Sequence, residues 1–140
     1  MTYEDEAERA RQAREQRRVT ERALYEKRLK GLTWEKLLQE RPLQRWDEHP
    51  PFPPPDFTAA AREHIRAVIR ELQALGPKPI KSKVRAVLKA SVEWFNAQDA
   101  ASGNVIETEE REDICKLLAE FALVARQSSL VEEIDNWRKW

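Results

Sequence analysis

The sequence predicts an all-α protein: a small helical bundle of three long helices plus short ones, with a long, polar N-terminal helix and a Pro-rich linker. Three observations lead to this fold class. The 140 residues include only three glycines, and 36% are charged, a composition typical of solvated helices. Apolar residues recur at helical spacing in several segments. No segment of useful length alternates between apolar and polar residues with period two, as a half-buried strand would.

The N-terminal part of the chain predicts two helices. The first runs from about Tyr3 to Lys30 in good helix formers, and we expect it to end at Gly31 with a left-handed cap. Its apolar face is poor, which is typical of an arm, a bridge or a coiled-coil strand rather than of a core element. Thr33 is placed to cap a second, short helix at 34–40.

Consecutive prolines suggest where the chain divides. Residues 49–55 cannot form a helix, so we predict a linker there, between an N-terminal arm at 1–48 and a helical bundle at 56–140. We expect the run to act as a stiff spacer rather than as a ligand for a proline-binding groove. We also expect the bundle from about Asp56 to fold without the first 45 residues.

The bundle itself predicts three long helices and a short one. The first is capped by Asp56, turns Arg62, Arg66 and Arg70 away from its apolar face and stops at Gly76. The second covers about 80–98. The third is capped by Thr108 and has the widest apolar arc, centred near Phe121, so we expect it to be the most buried. Ser129 and Glu132 have the spacing of a capping box that would open the last helix.

Charge and cysteine content exclude several function classes. The 25 basic residues balance 25 acidic ones, so no field of the whole protein selects nucleic acid or a membrane surface. The single cysteine allows no disulfide framework. The chain opens with acidic residues and contains no apolar run of the roughly 18 residues that a membrane span needs. We expect a cytoplasmic protein.

Residues that could support catalysis or bind a metal are few. The only cysteine is Cys115, and the only histidines are His49 and His64. No segment carries paired metal ligands on a helix or a phosphate-binding glycine loop. The acidic cluster at 107–113 is better explained as favourable charge at a helix N-terminus than as a calcium site. We therefore expect a protein that is not an enzyme and has no cofactor and no metal.

The arginines of the first helix form a stripe. Arg11, Arg14, Arg18 and Arg22 fall within an arc of about 80° at 100° per residue. Like charges three or four residues apart repel, so an anion would stabilise this arrangement. The stripe is consistent with a solvated face, with an acidic protein partner or with nucleic acid. Residues 1–31 carry nine basic and seven acidic groups, a small excess for a nucleic-acid binder.

The five tryptophans are the second unusual feature. Trp34 and Trp46 lie in the segment before the linker, and Trp140 is the last residue of the sequence. These rings could clamp the N-terminal segment to the bundle, or they could anchor a partner, as aromatic residues at interfaces do. We select Trp46 and Trp140 as candidate partner-binding residues beside the arginine stripe.

Together these features predict a non-enzymatic protein-interaction module, such as an adaptor, an assembly subunit or an inhibitory or immunity-type partner. The expected partner is another protein with an acidic or apolar patch, and no membrane is expected to be involved. The alternative is a nucleic-acid-binding accessory protein that uses the arginine stripe.

Overall fold

The computed structural model describes residues 2–47 and 53–140 and confirms the all-α class. Within these residues no strand forms. None of the helices there has both the length and the apolar character needed to cross a membrane. The helices are α1 (Tyr3–Lys30), α2 (Trp34–Gln39), α3 (Pro55–Ala74), α4 (Lys81–Ala101), α5 (Thr108–Val124) and α6 (Ile134–Trp137), with 3-10 turns at Gln44–Asp47 and Ser128–Glu133.

The chain forms two compact units, Met1–Leu32 and Thr33–Trp140. This division precedes α2, whereas the sequence suggested a boundary at 49–55. The reason is that the segment after α1 contributes Leu37, Leu43 and Trp46 to a buried core, at 3%, 6% and 6% exposure. Residues 49–52 of the predicted linker lie outside the described residues, and Pro55 is the first residue of α3.

Helix α1 makes up most of the first unit, and its bounds match the prediction. Thr2 and Asp5 form a reciprocal capping box at its start, with Asp5 N–H donating to Thr2 Oγ1. Gly31 ends the helix with φ −101°, so the expected left-handed cap does not form. The Gly31 N–H instead donates to backbone carbonyls of the last turn.

Helices α3, α4 and α5 provide the core of the second unit. The side chains that are less than 2% exposed include Phe95, Phe121, Ile69 and Leu88. Phe121 therefore lies in the core, as the wide apolar arc of its helix indicates. Between α3 and α4, Gly76 has φ +90°, a conformation that costs glycine little because it has no Cβ.

Three of the helix starts differ from the sequence prediction. Pro54, not Asp56, is the N-cap residue of α3, and no side chain caps this helix. Glu107, not Thr108, caps α5, and it forms a capping box with Glu110. No side-chain cap forms at Ser129 and Glu132, because this segment is a 3-10 turn that leads into α6. Glu107 and Glu110 thus stabilise the N-terminus of α5.

Arg62 of α3 binds the segment that follows α2. Arg62 was expected to point outward, yet it is 9% exposed. Its guanidinium donates to the carbonyl oxygens of Pro42 (2.9 Å) and Leu43 (3.1 Å) and lies 2.9 Å from the Asp47 carboxylate. Leu43 has φ +57°, a left-handed conformation that a branched residue adopts only when its surroundings hold it. The hydrogen bond from Arg41, with the charge of Arg62, lowers the pKa of Asp47 to about 2.

Candidate functional site

The structure places the arginine stripe along an exposed face of α1, where no residue is buried. Two of the four arginines are paired within the helix. Arg11 pairs with Glu8 and Arg18 with Glu15 (3.6 Å), each one turn apart, and both arginine side chains remain about 70% exposed. These exposed pairs stabilise the helix by only a few tenths of a kcal/mol each.

The other two arginines, Arg14 and Arg22, have no such partner. Across residues 2–47 and 53–140, no carboxylate lies within 4 Å of either guanidinium. Because paired and unpaired arginines alternate along the stripe, the two unpaired charges are eight residues apart. At 1.5 Å rise per residue they are separated by about 12 Å along the helix.

Toward the start of α1, the helix face that carries the arginine stripe becomes apolar. At 100° per residue, Tyr3 and Ala7 fall on the same face as Arg11 and Arg14. The Tyr3 ring is 85% exposed, and an open depression on this face is lined by Tyr3, Glu4, Ala7, Glu8, Arg11 and Arg14. We did not identify Tyr3 as a site residue from the sequence, although the 3–7–11–14 spacing could have revealed it.

Charge is unevenly distributed along α1. Residues 4–8 carry four acidic groups, whereas residues 9–30 carry nine basic and three acidic groups, a net charge of +6. This order suits the helix dipole, since acidic groups lie near the N-terminus and basic groups near the C-terminus. It also means that the basic part of the helix has a much larger excess charge than the helix as a whole.

The Trp46 side chain packs in the interior of the second unit and is not part of an exposed surface. Its ring stacks on Phe57 with centroids 5.9 Å apart, and its indole N–H donates to Asp113 Oδ2 at 3.0 Å. Arg45 lies 3.6 Å from the same carboxylate. At 6% exposure Trp46 is not available to a partner, so the structure corrects its selection as a partner-binding residue and favours the clamp interpretation.

Trp140 also packs within the second unit. Its half-buried ring meets Phe95 edge-on at 6.2 Å, and the Arg138 guanidinium lies 5.7 Å from its centroid. Asn96 fastens the same segment, since its amide donates to the Trp137 carbonyl and accepts from the Lys139 N–H. The Trp140 Nε1–H is buried without a hydrogen-bond partner among the described residues. The two selected tryptophans are thus in a different unit from the arginine stripe.

The residues considered for catalysis, His64 and Cys115, have the environments of packed structural side chains. His64 Nε2 lies 2.8 Å from Ser91 Oγ, and the imidazole stacks on Trp94 at 4.0 Å. Ser91 is 2% exposed, so its hydroxyl cannot reach a substrate. Burial lowers the pKa of His64 to about 4 and raises the pKa of the Cys115 thiol, which keeps both groups neutral at pH 7.

The acidic residues and the comparisons add no further site. In the part of the chain that the structure describes, no three His, Cys, Asp or Glu side chains are grouped to hold a metal ion. Comparisons with family models, curated proteins and solved structures found no match to this chain. The exposed face of α1 is therefore the candidate functional site, on the strength of its own geometry and charge.

Proposed function

We propose that this protein is a protein-interaction module and that α1 is the element that contacts the partner. The observation that carries the proposal is that a helix of 28 residues has no buried residue. A helix that is polar all round does not contribute a hydrophobic face to its own domain, and one setting in which such helices occur is as a solvent-exposed bridge between domains.

The surface of α1 supplies both kinds of contact that protein interfaces use. The arginine stripe provides charge-assisted hydrogen bonds, and arginine is enriched where such contacts dominate binding. Val19 and Leu24 are 53% and 63% exposed, so apolar contacts are also open to a partner. The expected roles are those of an adaptor, an assembly subunit or an inhibitory partner, and the single cysteine is compatible with action in the cytoplasm.

Nucleic-acid binding is the second candidate function, and the net charge of +6 over residues 9–30 favours it. The acidic residues of the same helix weigh against it. Glu8 and Glu15 are already paired with two arginines of the stripe, and a phosphate would have to compete with them. A protein partner, in contrast, can restrict its carboxylates to positions opposite the two unpaired arginines, Arg14 and Arg22.

Site-specific photocrosslinking in the native cell tests the proposed function. A photoreactive phenylalanine analogue replaces Val19 or Leu24 on α1, and matched variants carry it at the exposed Ala59 of α3 or Ala97 of α4. We expect a discrete protein adduct from the α1 positions and none from the matched positions. Adducts from α3 or α4 alone, or adducts from α1 that contain nucleic acid instead of protein, would contradict the proposal.

A further inference from the structure

We infer that α1 binds an acidic helical segment of another protein, with Arg14 and Arg22 as the two binding cations and Tyr3 as an apolar contact beside them. This inference rests on the proposed function and specifies the chemistry of the partner. It also distinguishes two arginines from the two others in the same stripe.

The first step is that neighbouring arginines of the stripe differ in whether they form an ion pair within α1. Arg11 and Arg18 already share their charge with Glu8 and Glu15, so a new carboxylate gains less from contacting them. Arg14 and Arg22 have no carboxylate within 4 Å in the described chain. Each can form a bidentate contact with an incoming carboxylate without first breaking an ion pair.

The second step excludes a second copy of α1 as the occupant. Residues 9–22 contain six arginines and two glutamates, a net charge of +4. When two such helices overlap over their full length, both the parallel and the antiparallel alignment place this basic stretch against itself. Like charges at that distance repel, and no continuous apolar seam is present to offset the repulsion.

The third step favours a helical protein segment over nucleic acid. When residues are placed at 100° steps around the helix axis, the arginine stripe covers about 20–100°. Four glutamates, at positions 4, 8, 15 and 26, form a row beside it at about 100–140°. A phosphate backbone is broad and carries charge along its whole length, so this row would repel it. A helix touches its neighbour along a narrow line and can present charge at chosen positions only.

The spacing defines the partner further. Two carboxylates eight residues apart on a helix are about 12 Å apart, the same separation as Arg14 and Arg22. An apolar side chain beyond the first carboxylate would cover the exposed Tyr3 ring and the Ala7 methyl group. The occupant is therefore an acidic helix with carboxylates at this spacing and an apolar residue at one end.

The test uses the full chain and synthetic probes in fluorescence anisotropy at an ionic strength of about 0.1 M, where the Debye length is about 10 Å. The first probe is a fluorescein-labelled helical peptide of about 20 residues, about 30 Å long, with glutamate pairs eight residues apart and a terminal leucine. The second carries glutamine in place of each glutamate. The third is a labelled single-stranded oligonucleotide of similar length.

Charge-preserving variants provide the matched comparison. Arg14→Lys with Arg22→Lys keeps the net charge but removes the planar guanidinium fork, and Arg11→Lys with Arg18→Lys does the same at the paired positions. We expect the first variant to weaken binding of the acidic peptide by about threefold and the second by less than twofold. Arg14→Gln with Arg22→Gln should weaken it by about tenfold. Circular dichroism at 222 nm confirms that helicity is unchanged.

Each alternative result overturns the inference. Loss in neither lysine variant would show that only the charge matters, and equal loss in both would show that the paired and the unpaired arginines bind alike. Equal affinity for the glutamate and glutamine peptides, or no binding of either, would remove the acidic partner. Tighter binding of the oligonucleotide than of the acidic peptide would identify nucleic acid as the ligand. The crosslinking experiment distinguishes this failure from that of the proposed function: a protein adduct from α1 together with any of these results overturns the inference alone.

Discussion

Replacing Trp46 tests whether the segment after α2 belongs to the core of the second unit. Trp46 is 6% exposed, stacks on Phe57 and donates a hydrogen bond to Asp113. Truncating a buried aromatic side chain to alanine typically costs about 3–5 kcal/mol, through lost burial and the cavity left behind. We expect Trp46→Ala to lower the free energy of unfolding by this amount, a large share of the roughly 5–15 kcal/mol of a small domain.

The hydrogen bond can be separated from the burial. Trp46→Phe keeps an aromatic ring against Phe57 but removes the indole N–H, so we expect it to cost much less, about 1–2 kcal/mol. A double-mutant cycle with Asp113→Ala should give a coupling energy of about 1 kcal/mol for the Trp46–Asp113 pair. The cycle matters because Arg45 also approaches Asp113, and the single substitution would remove both contacts.

Urea unfolding followed by circular dichroism measures these differences. At about 4 °C per kcal/mol for a domain of this size, Trp46→Ala should also lower the Tm by about 12–20 °C. Trp140→Ala is the matched tryptophan control, since its ring is only half-buried and should cost less. If Trp46→Ala stays within about 1 kcal/mol of wild type but weakens partner binding, Trp46 is an exposed anchor and the clamp interpretation is wrong.

Three further predictions follow from burial and charge. Phe121→Ala should lower the free energy of unfolding by about 3–5 kcal/mol in urea titrations, since Phe121 is 1% exposed; a change below 1 kcal/mol would contradict its place in the core. A chain of residues 33–140 should unfold with near-native cooperativity, because it contains the whole second unit. A chain of residues 53–140 should lose its near-ultraviolet circular dichroism signal. If residues 53–140 fold well alone, the boundary at 49–55 expected from the sequence is correct. Burial holds the pKa of His64 near 4, below its usual 6.5, so the unfolded state binds more protons between these values. Stability should therefore fall by about 1–2 kcal/mol, allowing for solvent screening, as the pH drops from 6.5 to 4. His64→Gln should flatten this slope, and an unchanged slope would contradict the burial of His64.

Local features of the sequence were sufficient to determine the helices. The bounds of α1 follow from its helix-forming composition, and the apolar spacing identified α3, α4 and α5 within a few residues. The arc of α5 also located Phe121 in the core. The arginine stripe is likewise a property of sequence spacing, since a continuous helix fixes which residues share a face.

The exact caps were less well determined. Gly31 was expected in a left-handed conformation, and Thr108 and Ser129 were expected as caps, but the structure uses other groups in each case. Several residues near each helix end can satisfy the free backbone groups, and the choice depends on the path of the following loop. A sequence pattern lists the candidates without selecting among them.

Only the tertiary structure decided what the segment between α1 and α3 does. Consecutive prolines suggested a linker at 49–55 with an arm before it, yet Leu43 and Trp46, both assigned to that arm, are buried in the second unit. Burial here depends on Arg62, an arginine from the outer edge of the apolar face of α3, whose guanidinium binds two backbone carbonyls about 20 residues earlier in the chain. No local periodicity encodes such a contact, because it depends on where two separate segments meet. The same limit applies to the arginine stripe. Spacing placed the four charges on one face, and only the three-dimensional arrangement showed that Glu8 and Glu15 pair with two of them, while Arg14 and Arg22 have no carboxylate within 4 Å in the described residues.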